Sequence, residues 1–168
     1  RAKQIAAAEK ARLDYIGGDL QAEEVFKEAY REIGDTVILA HTTGIGSVVA
    51  AVKPGDGSAR EQAASCQKVL GGWANIASAY ATKRYRSNLI NWGMLPFTVD
   101  DFDGLALENG DRIYIKGIRK AVENAETDIK AALYRKNGTK EDILLHLTDL
   151  SEDERKIILA GSLINFYN

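Results

Sequence analysis

A β-branched run, a glycine turn and a helical pattern follow one another around Gly55 and Gly57, and this order constrains the fold more than any other feature of the chain. Residues 47–52 suit a strand of a buried sheet, the two glycines interrupt it, and residues 59–69 show a helical pattern. A second strand is predicted at residues 73–77. Strand, turn, helix and strand form a crossover unit of an α/β domain, in which ligands bind where strand ends meet helix starts.

The glycine turn brings Ser58 and Arg60 to the first turn of the predicted helix. The first N-H groups of a helix have no partner within it and the macrodipole is positive at that end, so these residues predict a carboxylate or phosphate site. A structural interpretation stands beside this one. Ser58 and Glu61 have the spacing of a capping box, in which each side chain satisfies the backbone N-H of the other.

Composition and charge are those of an ordinary globular domain. The chain has 168 residues, of which 45% are hydrophobic and 27% charged, and its net charge of -2 argues against a general nucleic-acid binder. Cys66 is the only cysteine, predicted as a small buried residue, so the chain by itself forms no disulfide and cannot ligate a four-cysteine cluster. No apolar run approaches the ~20 residues that span a bilayer. A reducing, cytoplasmic setting is expected.

The rest of the chain predicts further helices and strands. Because the chain opens on Arg1 and a charged helical stretch, we expect a piece of a longer polypeptide, with residues 1–34 as a helical lead and residues 35–168 as one domain. The other predicted elements are helices over residues 2–12 and 20–33, a helical turn over residues 80–85, strands over residues 36–40 and 112–115, a polar turn or helix start over residues 100–103, a hairpin of residues 129–135 and 143–147 around Asn137-Gly138, and a final helix from Ser151 with Glu154 in a capping box.

A series of short motifs follows the glycine turn in a fixed order. The motifs occupy residues 53–64, 70–72, 87–97, 108–113 and 160–165. They resemble the GxGSSREHAA, LGG, NLxxxGxLPL, GD and AGSxxN motifs of the C-terminal swivel domain of the aconitase family of iron-sulfur hydro-lyases, over residues 53–168. The resemblance implies a swivelling β/β/α three-layer domain built around a partly open barrel. The usual N-terminal Thr-Asp-His or Thr-Asp-Glu motif of such domains is absent here.

The resemblance also implies roles for the residues of the glycine turn. Ser58 matches the serine that removes a proton beside a substrate carboxylate, and Arg60 matches the arginine that binds a carboxylate. Gly57 and Ala59 lie at the adjoining substrate-binding positions. The family usually has a second serine where this chain has Ala59, and the loss of one donor to the substrate implies an altered substrate preference.

The same resemblance implies partners and a cofactor. A full-length parent would carry a 4Fe-4S cluster ligated outside this chain, act on a small hydroxy-carboxylate and supply the remaining aconitase-like domains, whereas the chain alone would hold no cluster and be inactive. Two alternatives stay open: the small subunit of an isopropylmalate or homoaconitate isomerase, and a non-catalytic anion- or RNA-binding module. The last would use the same anion site or the basic cluster of Lys83, Arg84 and Arg86, although such a cluster is more typical of a solvated helix face. His41 and His146 lack metal-ligand spacing, and no metal site is expected.

Overall fold

The computed structural model describes residues 43–168 of the chain. The predicted lead of residues 1–34, its helices, the strand at residues 36–40 and His41 lie outside the described residues. The domain boundary at residue 35 therefore stays a prediction.

Strands and helices alternate along most of the described chain. No helix in residues 43–168 is long and apolar enough to cross a membrane. The elements are β1 (Ser47–Ala50), α1 (Arg60–Val69), β2 (Gly72–Ala77), α2 (Lys83–Asn91), β3 (Leu95–Thr98), α3 (Phe102–Leu105), β4 (Arg112–Tyr114), α4 (Ile118–Glu123), β5 (Asp128–Tyr134), β6 (Lys140–His146), α5 (Glu152–Ala160) and α6 (Leu163–Tyr167).

The six strands form one mixed sheet in the order β1-β2-β3-β6-β5-β4. Strands β1, β2 and β3 are parallel, as the crossover unit requires, while β3 pairs with β6 and β4 pairs with β5 in antiparallel fashion. The predicted α/β class is confirmed. Among the strands of residues 43–168 the order is linear, with β1 and β4 at its two ends.

The described residues fall into two compact units. The larger contains Gly46–Leu107, Gly117–Ala131 and Ile143–Asn168, and it carries the crossover unit with the glycine turn. Strand β2 supplies much of its core, since five of its six residues are buried. Strand β1 was expected to be buried, and that expectation is wrong. It pairs with β2 as the end strand of the sheet, and three of its four residues are exposed.

Helix α2 begins later and ends later than the predicted turn at residues 80–85. Thr82 is its N-cap, because the Thr82 Oγ1 accepts a hydrogen bond from the Tyr85 backbone N-H at 3.2 Å. Tyr85 and Leu89 lie four residues apart on the buried face and pack against Ala64 of α1 and Met94. This apolar cluster joins α1 to α2 directly beneath the glycine turn.

The C-terminal helices confirm the predicted capping box. The Ser151 Oγ accepts from the Glu154 backbone N-H at 3.2 Å, and the Ser151 N-H donates to Glu154 Oε2 at 2.9 Å. Helix α5 ends at Gly161, whose φ of 86° is left-handed. A Cβ placed on Gly93 would lie 2.1 Å from the Gly161 carbonyl oxygen, so the sequence motifs at residues 87–97 and 160–165 meet backbone to backbone.

The described part of the smaller unit, which includes Glu108–Lys116 and Ala132–Asp142, contains the turn of the predicted hairpin and the adjoining ends of its two strands. Its turn closes through hydrogen bonds from the Arg135 N-H to the Thr139 carbonyl at 2.8 Å and from the Gly138 N-H to the Arg135 carbonyl at 2.9 Å. The hairpin prediction is confirmed, but β6 begins at Lys140 rather than at residue 143. The polar residues 140–142 are exposed, but they still belong to strand β6.

A charged network supports this hairpin. The Asp111 carboxylate accepts from the backbone N-H groups of Glu108 at 3.0 Å and Lys136 at 3.1 Å and from Arg135 Nη1 at 3.1 Å. Burial raises the pKa of Asp111, but these donors together outweigh it and hold the pKa below its ordinary value. Arg135 also binds Glu141 through two nitrogens, at 2.9 and 3.0 Å. The Gly110-Asp111 motif is therefore structural in this chain.

Candidate functional site

Ser58 lies in the exposed loop between β1 and α1, two residues before the helix begins at Arg60. The predicted position of this serine, in a glycine turn at a helix N-terminus, is confirmed. Its hydroxyl makes no hydrogen bond to any residue between 43 and 168. Gly57 and Ala59 are exposed as well, so the middle of the loop presents its backbone and one hydroxyl to solvent.

The predicted capping box of Ser58 and Glu61 is not formed. The N-cap of α1 is Ala59, which has no side-chain hydrogen bond to the helix. The Glu61 side chain binds elsewhere: Trp92 Nε1 donates to Glu61 Oε1 at 2.9 Å, and the Asn88 amide, oriented to suit its neighbours, donates to Glu61 Oε2 at 3.0 Å and accepts from the Glu61 N-H at 3.2 Å. Ser58 therefore does not cap α1, although its spacing from Glu61 predicts that it would.

The Asn88 contact also reduces the number of backbone N-H groups that could bind an anion at the N-terminus of α1. The Glu61 N-H is occupied, and the first bond within the helix runs from the Ala63 N-H to the Ala59 carbonyl at 2.9 Å. The backbone N-H groups of Arg60 and Gln62 remain without a partner among the described residues. An anion at this end of α1 would therefore depend chiefly on the Arg60 guanidinium and on the loop backbone.

The first half of the loop is tied to the segment that follows β2. The Val52 carbonyl accepts from the N-H groups of Ser78 at 3.1 Å and Ala79 at 3.3 Å, and the Pro54 carbonyl accepts from the Ala81 N-H at 2.9 Å. These bonds fix the loop as far as Pro54. The exposed second half of the loop, which contains Ser58, therefore follows a segment that is held by backbone hydrogen bonds.

Gly55 and Gly57 have different structural roles. Gly55 has a φ of +98°, and a Cβ placed on it would lie 2.5 Å from three atoms of the Tyr85 side chain. Only glycine fits there, on both grounds. Gly57 has no such conformation, and a Cβ placed on it would meet no described atom within 4 Å. Nothing in the described fold requires glycine at position 57.

Arg60 is half-buried and is anchored by one edge of its guanidinium. Its Nε donates to the Gly55 carbonyl oxygen in a long hydrogen bond of 3.3 Å. The same oxygen accepts from the Thr82 Oγ1 at 3.1 Å. The two terminal nitrogens of Arg60 make no hydrogen bond within residues 43–168, and such a pair matches the two oxygens of a carboxylate.

A buried polar network lies beneath the loop, and the sequence patterns did not identify it. The Tyr85 hydroxyl accepts from Asn75 Nδ2 at 2.9 Å and from Gln67 Nε2 at 2.7 Å, which links α2 to β2 and α1. The Tyr80 hydroxyl donates to the Phe97 carbonyl at 2.9 Å, and burial raises its pKa. Asn75 is fully buried within an otherwise apolar strand. That buried amide was the one sequence signal for the network.

The three side chains of the predicted basic cluster have different environments on α2. Lys83 and Arg84 are exposed, but Arg86 is half-buried and donates to the Thr148 carbonyl oxygen, so it serves the fold. Cys66 is exposed on α1, and its predicted burial is wrong; the buried position of this helix is Ala64. Of the three basic residues, Lys83 and Arg84 remain exposed on α2.

His146 lies between two carboxylates at the end of β6. Its Nδ1 is 2.9 Å from Asp128 Oδ1, and its Nε2 is 3.3 Å from Asp100 Oδ2. The hydrogen bond to Asp128 is the main cause that raises the pKa of His146, and the bond to Asp100 adds to it although partial burial opposes both. Each imidazole nitrogen has a carboxylate partner, which is the arrangement of a bridging cation rather than of a metal ligand.

The residues of this chain do not fit an iron-sulfur cluster. Such clusters are held by several cysteine thiolates, and the chain has one cysteine. Within residues 43–168, no group of three His, Cys, Asp or Glu side chains is arranged to hold a metal ion. No chemical step is therefore assigned to a cluster on this chain.

The model of the aconitase C-terminal domain matches residues 10–101 of the chain. The match begins inside the predicted lead and includes the glycine turn and the motif at residues 87–97. Among curated proteins, the chain is 33% identical over 121 residues to a putative mitochondrial aconitate hydratase of Emericella nidulans, covering 70% of this chain and 15% of that protein. It is 31% identical over 114 residues to the mitochondrial aconitate hydratase of Gracilaria gracilis, covering 66% and 14%.

One solved structure with a similar arrangement is the 3-isopropylmalate dehydratase LeuD of Methanocaldococcus jannaschii. It has a TM-score of 0.45 and 25% identity, with coverage of 76% of this chain and 66% of that one. The chain spans only about a seventh of the length of the curated relatives that it matches.

Proposed function

Since this chain belongs to the aconitase C-terminal domain family, we propose that it is the swivel domain of a hydro-lyase that adds water to, or removes it from, a small hydroxy-carboxylate. The observation that supports this most directly is the state of Ser58. Its hydroxyl is exposed and takes no part in capping α1, next to an arginine whose terminal nitrogens have no partner among residues 43–168.

Ser58 is proposed as the base that takes a proton from the carbon beside a substrate carboxylate. A serine hydroxyl is a very weak base, so its alkoxide needs positive potential nearby. The N-terminus of the ten-residue helix α1 and the Arg60 guanidinium supply that potential. The rigid base of the loop, fixed at Val52 and Pro54, would limit the motion of the hydroxyl during proton transfer.

Arg60 is proposed to bind a substrate carboxylate through its two terminal nitrogens. Bidentate pairing fixes the orientation of a planar carboxylate, and a lysine cannot reproduce it. Gly57 and Ala59 would lie along the substrate, where a bare backbone and a methyl group leave room but offer no side-chain donor. The substrate would then be one that needs no hydrogen bond from the serine that the family usually has at position 59.

The remaining chemistry is proposed to come from outside this chain. A 4Fe-4S cluster held by cysteines of other domains would act as the Lewis acid at the substrate hydroxyl in the full-length protein. The chain covers 15% of an aconitate hydratase relative, which leaves ample sequence for those domains. The isolated chain would contribute one wall of the cleft and have no turnover.

The test is a pair of substitutions in the full-length protein, assayed for hydration of aconitate and of related unsaturated carboxylates. Ser58→Ala should lower kcat by orders of magnitude with little change in KM, because Arg60 still binds the carboxylate. Arg60→Lys should raise KM first. Ser65→Ala is the matched control, since Ser65 lies on α1 and its hydroxyl donates only to the Gln62 carbonyl, at 3.2 Å. A Ser58→Ala protein with normal kcat would end the catalytic assignment.

A further inference from the structure

The Gly55 carbonyl oxygen accepts two hydrogen bonds from residues of different elements. Arg60 Nε approaches it from α1 at 3.3 Å, and the Thr82 Oγ1 approaches it from the start of α2 at 3.1 Å. A carbonyl oxygen has two lone pairs, so both acceptor sites are in use. Thr82 and Arg60 are thus linked through one backbone atom.

Thr82 is itself fixed in place. As the N-cap of α2 its Oγ1 accepts from the Tyr85 N-H at 3.2 Å, which directs the hydroxyl proton away from the helix and toward Gly55. The Tyr85 ring lies against the Gly55 Cα, and Tyr85 is only 2% exposed. The carbonyl that Arg60 binds is therefore held from two sides by the same helix.

The occupied Nε limits how Arg60 can meet a carboxylate. A guanidinium can pair with two oxygens through its Nε edge or through its two terminal nitrogens. The Gly55 oxygen lies on the Nε edge, which leaves the terminal edge for a ligand. We propose that Thr82 is a positioning residue, which holds the Gly55 carbonyl on Arg60 Nε and so presents the terminal edge of Arg60 to a substrate carboxylate.

This inference rests on the proposed function, since it assumes that Arg60 binds substrate. Loss of the Thr82 hydroxyl would free the Gly55 carbonyl and let the guanidinium rotate, so fewer molecules would hold the terminal edge ready. The loss acts equally on the ground state and the transition state, and it should appear in KM rather than in kcat. Because one neutral hydrogen bond is involved, we expect Thr82→Val to raise KM about five-fold and leave kcat within about two-fold.

The experiment compares Thr82→Val with Thr82→Ser in the full-length protein. Serine keeps both the cap and the donor, so its KM should stay near that of the unmodified protein. Calorimetric binding of tricarballylate, a tricarboxylate that does not react, gives a second measurement without turnover; its Kd should rise in Thr82→Val and not in Thr82→Ser. Equal values for the two variants would overturn the inference.

Two controls separate positioning from simple loss of stability. Ser151→Ala removes a comparable N-cap from α5, and its hydrogen bonds do not involve the loop, so it should lower the melting temperature without changing KM. A rise in KM for Ser151→Ala equal to that for Thr82→Val would refute the positioning role. In an Arg60→Lys background, Thr82→Val should have no further effect on KM, because lysine has no Nε to hold.

The same set of variants tells the two proposals apart. If Arg60→Lys raises KM and Thr82→Val does not, the positioning role of Thr82 is wrong and the carboxylate role of Arg60 stands. If neither substitution changes KM or the Kd for tricarballylate, the proposed role of Arg60 fails and takes this inference with it.

Discussion

Substitution of Gly55 by alanine should destabilise the fold strongly, for reasons that the structure makes quantitative. The φ of +98° disfavours any residue with a Cβ, and the added carbon would lie 2.5 Å from Tyr85 atoms that are themselves buried. A left-handed conformation costs about 1–2 kcal/mol and overpacking about 1–3 kcal/mol, so Gly55→Ala should lower the free energy of unfolding by about 2–5 kcal/mol.

Gly57→Ala is the matched variant, two residues along the same loop. Position 57 has neither a left-handed φ nor a described atom within 4 Å of the added carbon, so stability should change by less than about 0.5 kcal/mol. If a substrate approaches the Gly57 backbone, the same methyl group should lower kcat/KM. One glycine of the turn would then be required by the fold and the other by the ligand.

Urea denaturation followed by tryptophan fluorescence measures the first effect, with thermal melting as a check. A loss of about 3 kcal/mol corresponds to a fall in melting temperature of about 6–12 °C for a chain of this size. Steady-state kinetics of the full-length protein measures the second. A Gly55→Ala protein as stable as the original would refute the packing argument, and a Gly57→Ala protein with unchanged kcat/KM would refute substrate contact at Gly57.

Three further predictions concern Glu61, His146 and the single cysteine. Glu61→Ala should lower the free energy of unfolding by about 1–3 kcal/mol, since buried Asn88 loses its partners, whereas Gln62→Ala at the neighbouring exposed position should not; equal urea midpoints would contradict this. The raised pKa of His146 means that its pairing stabilises the fold fully below the unfolded-state pKa of about 6.5. This stabilisation is lost as pH rises through the folded-state pKa, so His146→Gln should flatten the fall in urea midpoint as pH rises above about 6.5. The 168-residue chain, with its single cysteine, should show no cluster absorbance after reconstitution with iron and sulfide, and retained absorbance would disprove this.

The sequence predicted the crossover unit well because each of its signals is local. The glycines end a strand, the helical pattern begins at the following residues, and both survive folding as β1, α1 and β2. The position of Ser58 followed from that order. Its predicted capping box with Glu61 did not form, because Glu61 binds Asn88 of α2 and Trp92 just after it, 27 and 31 residues further along the chain. Spacing within one helix cannot predict such contacts.

The burial predictions failed where tertiary contacts decide. Cys66 is exposed on α1 in the described part of the chain, although its residue type is commonly buried. Strand β1 has the β-branched residues of a core strand but is the end strand of the sheet. The sequence patterns did not single out Thr82, and only the folded chain brings its hydroxyl to Gly55.

Tyr85 links the hydrophobic core to the loop that carries Ser58. Its ring packs with Leu89 and Met94 on one side and limits Gly55 on the other, while its hydroxyl joins three elements. Selection for a more stable protein and selection for a new substrate would therefore act on the same side chain. Directed evolution of this domain should leave position 85 unchanged and seek new specificity at positions 57 and 59, where the backbone is exposed and mutations have little effect on folding.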